Sequence, residues 1–524
     1  MRRRGCRARA VLVAALVAGM IPLFPASGAQ ATGAGATTGS IAVRGSGFGH
    51  GVGLSQYGAY GQARANAALT GAQIAHYYYK GSAVSSYPDN VRLKVNVAHA
   101  KRSMTIRSTS VGTGGGGFTV GVSGVAGRWV PAGHYVTVGR TSAGMVLVIH
   151  TPGGSDVALR GASASLVWSQ RPTTLDVTTS GTKHYRWGSL ALARLGSGFE
   201  GLLSIDLHSY LKGVAEMPSS WPRGALQAQA IVSRTYALHA YRAGTRSACG
   251  GCHLYDSTMS QVYAGWSKES QPTYGRLWLA AVGATQTGPG TGQTVLYRGT
   301  PVDAFFFSSS GGRTRNSEDV WSAALPYARS VPDPWSLNRT VNPSFALWSR
   351  SASVPALLRL FGLPDLYSVR VSARDAGGAV RTVTALAGNG AARSVTGDRF
   401  RTTFGLPSSW VTSLGAVLVS TPGGRSRSVV TNTPSARSVR RSGWFTERGR
   451  LTLAGGTPQR SQKVSVYYVP AGTTRSSYAG TATTSSTGLW SLPVRAWKTG
   501  SWFVSYPGSR SSTPTYKGVW VRAI

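Results

Sequence analysis

Acidic residues are scarce in this chain. It has five Glu and eleven Asp in 524 residues, against 55 Lys and Arg, for a formal net charge of +39. Charged residues make up 14%, where a soluble domain usually carries about 25%. Cysteine is nearly absent too, at three residues, which excludes a disulfide-built scaffold. Beyond the N-terminus no apolar run approaches the roughly 20 residues needed to span a bilayer, so a multi-pass membrane protein is excluded. No segment repeats at a fixed period. What is abundant is apolar and aromatic: 42% hydrophobic residues, with 15 Trp and 22 Tyr. That is enough to build cores and excludes wholesale disorder. The length suggests about two to four domains.

Residues 1–9 carry Arg2, Arg3, Arg4, Arg7 and Arg9 and no acid. An apolar stretch follows from Ala10 to about Phe24, and Ala29-Gln30-Ala31 fits a small-x-small cleavage site. Residues 1–31 therefore read as a secretory signal peptide. Gly19, Pro22 and Pro25 interrupt the apolar stretch and argue against a membrane anchor. Cleavage would leave two cysteines, Cys249 and Cys252. In a secreted protein the basic charge points to anionic cell-wall polymers, and so to wall association, not to nucleic acid. A general solubility charge is the competing reading.

Residues 32–82 hold a short linker and then the segment GSGFGHGVGLSQYGAYGQARANAALTGAQIAHYYYKG. Gln56–Ala68 reads as a small-residue helix, and Thr70 caps a second one up to Tyr79. Between 91 and 167 apolar residues alternate with polar ones, as in VRLKVNV and MVLVIH, which predicts short strands. The spacing of Leu226, Ala230, Ser233 and Ala237 predicts a helix with a buried small-residue face, capped by Ser219 or Ser220. Residues 425–442 read as a Ser/Arg/Pro-rich linker, and 443–524 as a small β-sandwich. From Ala436 onward there are 13 Lys/Arg and one acid, Glu447. The expected fold is α+β: a mixed β-rich domain over 83–424, with a few short helices around a groove, then the all-β module.

Chemistry concentrates at Glu216, in the elbow between helices expected at 207–214 and after Pro222. Asp206 is placed to cap the first of these helices. The neighbours of Glu216, namely Ala215, Met217, Pro218 and Trp221, are apolar. A carboxyl held among such side chains keeps its proton to higher pH and can protonate a glycosidic oxygen. A solvated loop Glu is the alternative, and these residues alone leave both open.

The segment YLKGVAEMPSSWP…ALQAQAIVSRTYAL resembles the stage II sporulation protein D and amidase-enhancer family of cell-wall proteins. Further segments are similar in the family's order: DSTMSQVYAG at 256–265, the Ser-Ser-Gly-Gly stretch within 281–321, Val331-Pro332-Asp333-Pro334, and DRFRTTFGLPSSW at 398–410. GFGHGVGLSQYG looks like the family's Gly-His-Gly segment. The likeness covers most of 41–420, with its motif core at 200–420. It implies a lytic transglycosylase acting on peptide-free peptidoglycan strands. Glu216 would serve as acid and then base, and the product would be a 1,6-anhydromuramoyl end. A non-catalytic amidase enhancer or wall-binding protein that recruits an N-acetylmuramoyl-L-alanine amidase is the other reading.

Other residues take expected roles in binding substrate: His50, Gln56, Lys212, Arg234, Ser309, Ser310 and Gly311. His50 and Gln56 can also orient Glu216, while His50 can equally pin its own loop. Arg234 and Lys212 suit a lactyl carboxylate, although Arg234 on an amphipathic helix also suits a structural ion pair. Two departures from the family stand out. The Gly-His-Gly segment follows the core in many relatives and precedes it here. Some relatives bind zinc near a site matching Cys249-Gly250-Gly251-Cys252-His253. Two Cys and one His fall short of four ligands, so a local disulfide is the simpler expectation, with no cofactor.

Overall fold

The computed structural model describes residues 36–141, 144–321, 323–387, 391–415, 417, 428–454, 456–473, 476–509 and 512–524. The expected signal peptide lies outside the described residues. Two compact units divide the chain, one over 36–420 apart from 387–391, the other formed mainly by 421–524. Among the described residues no helix is long and apolar enough to cross a membrane. Strands in several sheets outweigh a few helices, as in an α+β protein.

In the larger unit, alternation becomes strands as anticipated. Arg92–Lys101 and Gly198–Asp206 pair antiparallel as the second and third strands of a seven-stranded sheet. Ser103–Ser110 and Thr173–Thr178 pair in a six-stranded sheet. The inward side chains of both sheets, among them Val95, Leu203, Ile106 and Leu175, join one core. Four helices matter for the site: α1 (Gln56–Ala65), α2 (Gly71–Tyr78), α3 (Leu207–Lys212) and α4 (Arg223–Ala243). Thr70 caps α2 in a reciprocal capping box with Gln73, and Asp206 caps α3, its Oδ1 accepting the Ser209 N–H at 2.8 Å.

Helix α4 is buried on more than the one expected face. Leu226, Ala230, Ala237 and Leu238 join the sheet core. Ala225, Ala228, Ile231 and Val232 join a second core with Ile74, Tyr78 and Val295. Its many alanines suit a helix that must be approached closely from two sides. The start of α4 differs from expectation. The helix begins at Arg223 behind Pro222, and neither Ser219 nor Ser220 caps it. Pro222 supplies a fixed φ at that boundary. Trp221 closes a turn on Pro218 just before it, through an N–H to carbonyl bond of 3.2 Å.

The strand Ser40–Gly45 sits between Trp348–Ser353 and Val411–Leu414, antiparallel to both. This pairing delivers the glycine-rich loop to the unit's interior. At Gly53, whose φ is +79°, a Cβ would lie 2.0 Å from the Phe305 carbonyl oxygen, so a side chain there would displace the loop.

In the smaller unit, a three-stranded sheet (Ser428–Val430, Trp444–Leu453, Leu489–Arg495) and a five-stranded sheet share one core of Phe445, Leu451, Val466, Trp490 and Trp502. Two short strands, Ser428–Val430 and Ser438–Val439, fall inside the stretch read as a linker. The strand Trp444–Leu453 turns Glu447 inward, where it is fully buried. Burial pushes its carboxyl up to about 7, against a weaker opposing pull from Asn432.

This buried acid makes the unit's stability depend on pH. Below about 4.5 the folded and unfolded states both hold the proton. Between about 4.5 and 7 the folded state keeps a proton that the unfolded state has released, so stability falls as pH rises, and the penalty is complete above about 7. Glu447→Gln should therefore stabilise residues 428–524 at pH 8 by roughly 1–3 kcal/mol and leave them nearly unchanged at pH 4. Hydrogen exchange of wild type and variant, compared at each pH, reads this directly. Equal protection at pH 8 would mean that Glu447 is solvated.

Candidate functional site around Glu216

The site is built where the chain leaves α3. Gly213 ends that helix, and a Cβ there would meet the Gly265 Cα at 2.7 Å and the Tyr263 ring at 2.5 Å. The missing side chain lets residues 213–215 run antiparallel to 262–264. Ala215 N–H donates to the Val262 carbonyl, and Ala264 N–H to the Gly213 carbonyl, both at 2.8 Å. Glu216 continues this pairing with its side chain, its Oε1 accepting the Val262 N–H at 2.6 Å.

Two long side chains hold the adjacent backbone. The Gln56 side-chain amide, at the start of α1, donates to the Glu216 carbonyl at 3.0 Å. Lys268, in the short helix α5 (Trp266–Glu269), donates from Nζ to the Met217 carbonyl at 2.7 Å. Gln56 also bonds the Gln229 side chain at 3.2 Å, which in turn donates to the Ser233 hydroxyl. Gln261 Nε2 bonds the Ser233 carbonyl at 3.1 Å. One network thus joins α1, α4, the elbow and the Gln261–Tyr263 segment.

Glu216 is half-buried, and burial pushes its carboxyl up to about 7. The Val262 N–H and the Lys268 charge act in the opposite sense and are outweighed. Lys268 is buried and is pushed down to about 8 by the same desolvation, with Glu216 pulling it up. Near neutral pH the carboxyl is therefore divided between its two protonation states, as a group that must both give and take a proton requires. Neighbouring carboxylates are otherwise engaged. Asp206 caps α3, and Asp256 pairs with Lys183 at 2.6 Å.

The remaining expected site residues lie in varied settings. His50 has both ring nitrogens on backbone: Nδ1 accepts from Val52 N–H at 3.1 Å, and Nε2 faces the Phe306 carbonyl at 3.0 Å. Burial lowers its pKa to about 4, so it is neutral and ties its loop to the strand Phe306–Phe307. Arg234 is fully buried, pairs with Asp89 at 3.0 Å and donates to Thr285 and Gln293. Lys212 places its ammonium 4.7 Å from the centre of the Trp187 ring. Ser309 and Ser310 are buried, with Ser309 accepting from Asn342 and Ser310 donating to Asp333 at 2.7 Å. Gly311 packs on the Trp410 ring. Of the expected residues, the structure brings only Gln56 into hydrogen-bond contact with Glu216.

Three contributors were not foreseen: Lys268, Gln229 and the Val262 N–H. The Gln-Val-Tyr segment was visible as a motif, but a backbone donor leaves no trace in residue type. Lys268 stands in an unremarkable WSKE stretch and carried no signal. Cys249 and Cys252 are joined as a disulfide. Among the described residues no group of three or more His, Cys, Asp or Glu is placed to hold a metal ion.

Residues 197–288 match the family model described as Stage II sporulation protein. This segment contains the elbow, Glu216, α4 and Lys268. Stage II sporulation protein D of Bacillus amyloliquefaciens is 31% identical over 237 residues, which are 42% of this chain and 64% of that protein. Its counterpart in Bacillus subtilis (strain 168) is 28% identical over 184 residues, 33% of this chain and 52% of that protein. The amidase enhancer of the same strain is 36% identical over 125 residues, 24% of this chain and 15% of that protein. The chain thus spans less than two thirds of the length of each. The matches make the segment around Glu216 similar to the stage II sporulation protein D and amidase enhancer proteins.

If Arg234 serves the core through its ion pair, Arg234→Ala should destabilise the larger unit by about 3–5 kcal/mol, because Asp89 is left charged and buried. Urea unfolding measures this. Unchanged stability with weakened glycan binding would instead make Arg234 a ligand for substrate.

Proposed function

We infer that this protein is a peptidoglycan lytic transglycosylase of the exported, wall-associated kind, with Glu216 as its single acid–base group. The observation that carries the reading is the half-buried Glu216 carboxyl, clamped at 2.6 Å by the Val262 N–H and pushed up to about 7. Protonated Glu216 donates to the oxygen between N-acetylmuramic acid and the next sugar. The C1–O bond breaks, and positive charge develops at C1 and the ring oxygen. The carboxylate then takes the proton of the muramoyl 6-hydroxyl, whose oxygen closes on C1. The carboxyl ends as it began, no water is consumed, and a 1,6-anhydro ring is left. A two-carboxylate hydrolase needs a partner at about 5–9.5 Å, and the commitments of Asp206 and Asp256 favour the one-carboxylate route.

The two-sheet unit is read as a basic β-sandwich that holds anionic wall polymers, a role supported by its excess of Lys and Arg. A second reading is favoured by the 36% identity to an amidase enhancer: a non-catalytic protein that recruits an N-acetylmuramoyl-L-alanine amidase.

Peptide-free glycan strands incubated with the protein should yield anhydro-ended sugars by mass spectrometry. Glu216→Gln should lower their rate by roughly 10²–10⁴. Absence of such ends from wild type would favour the recruiting role. The rate should also fall as pH rises through about 7, as the required proton is lost. Lys268→Met removes a positive charge that lowers the Glu216 pKa, so its alkaline limb should move to higher pH. A limb that stays fixed would separate Lys268 from the acid's titration.

A further inference from the structure

The geometry points to a row of five aromatic rings beside the elbow as a stacking strip for an anionic glycan strand, an inference that rests on the reading of Glu216 and extends it. Tyr57 and Tyr60 stand three residues apart on one face of α1. Trp221 lies parallel to Tyr60, with ring centres 4.7 Å apart and 12° between planes, and meets Tyr57 at 4.9 Å. Tyr57 meets Phe345 edge-on at 6.1 Å, and Phe345 meets Phe48 at 4.6 Å. Phe48 is 44% exposed and the other four rings are half-buried.

The row begins at the candidate acid. Trp221 is the last residue of the elbow before Pro222. Tyr57 follows Gln56, whose side chain holds the Glu216 carbonyl. Phe48 is exposed and the other four rings each keep part of their surface in solvent, so the row can be reached from outside although Trp221 also rests on the core. A sugar ring presents a face of C–H groups to an aromatic face, whose electron-rich centre attracts them, while its hydroxyls stay at the wet edges. Tyr60 and Trp221 cover one face of each other, so a strand would lie along the outer faces and edges of the row.

Charge narrows the occupant. The strip contains no acid. Arg64 lies against it, its Nη1 donating to the Tyr60 hydroxyl at 3.4 Å, and exposed Arg223 follows two residues after Trp221. Stacking rings edged by arginine match a strand that carries a free lactyl carboxylate on alternate sugars. Where a peptide is attached, that carboxylate is consumed in an amide bond.

The test uses the full chain carrying Glu216→Gln, so that bound strands persist, and titration calorimetry with two probes: peptide-free glycan strands and neutral chitin oligosaccharides of equal length. Tyr60→Ala and Trp221→Ala should each raise Kd for the strands about tenfold, and Trp221→Phe should restore most of the affinity. Arg64→Gln should reduce the preference for strands over chitin. Tyr60 and Phe48 lie toward solvent, so Tyr60→Ala and Phe48→Ala, with unchanged thermal melting, keep the result interpretable should Trp221→Ala misfold. Unchanged Kd in Tyr60→Ala and Phe48→Ala would overturn the strip. Equal binding of chitin and strands would overturn its anionic occupant. Ring-dependent binding by a wild-type protein that releases no anhydro ends would uphold the strip while removing the transglycosylase reading.

Discussion

Two consecutive carbonyls, those of Glu216 and Met217, are each gripped by a side chain from a different part of the chain. Gln56 holds the first and Lys268 the second. Between α3 and α4 the chain makes no regular structure of its own, so these bonds replace the partners a helix would have supplied. The Val262 N–H then fixes the carboxyl itself. The elbow is thus an irregular segment whose Glu216 and Met217 carbonyls and Glu216 carboxyl are each held from outside it. That is how an ionisable group is kept among apolar neighbours without sinking into the core.

The grips depend on larger packing. Gln56 is in place because α1 packs against α4 and because His50 ties the preceding loop to the Phe306 carbonyl. Lys268 is in place because Gly213 and Gly265 allow the elbow and the strand-like segment before α5 to touch. Helix α4 belongs to both cores of the unit. Loosening either core would therefore reach the acid through the same helix.

Much of this was legible in residue order, and the rest was hidden for physical reasons. The alternating run at 92–101 and the Thr70 and Asp206 caps are local, and local rules found them. Glu216 showed itself through its apolar neighbours. The start of α4 was misjudged because two serines with cap chemistry precede a proline that fixes the boundary instead. The settings of His50, Arg234 and Ser310 are long-range. Asp89 lies 145 residues from Arg234, and Phe306 lies 256 from His50, so no spacing rule connects them. Residue type suggested polar ligands, and burial turned these groups toward the protein's own backbone and carboxylates.

The edge-to-edge seating of Ser40–Gly45 between Trp348–Ser353 and Val411–Leu414 also orders events in time. A chain that emerges N-terminus first exposes this strand long before either of its neighbours exists. The stretch just behind it, which carries the amide that steadies the elbow, docks on α4 and on Phe306–Phe307, which also lie far downstream. Bringing such distant segments together is entropically slow. Assembly of the acid's surroundings is thereby postponed until α4 and the segment up to Lys268 have emerged.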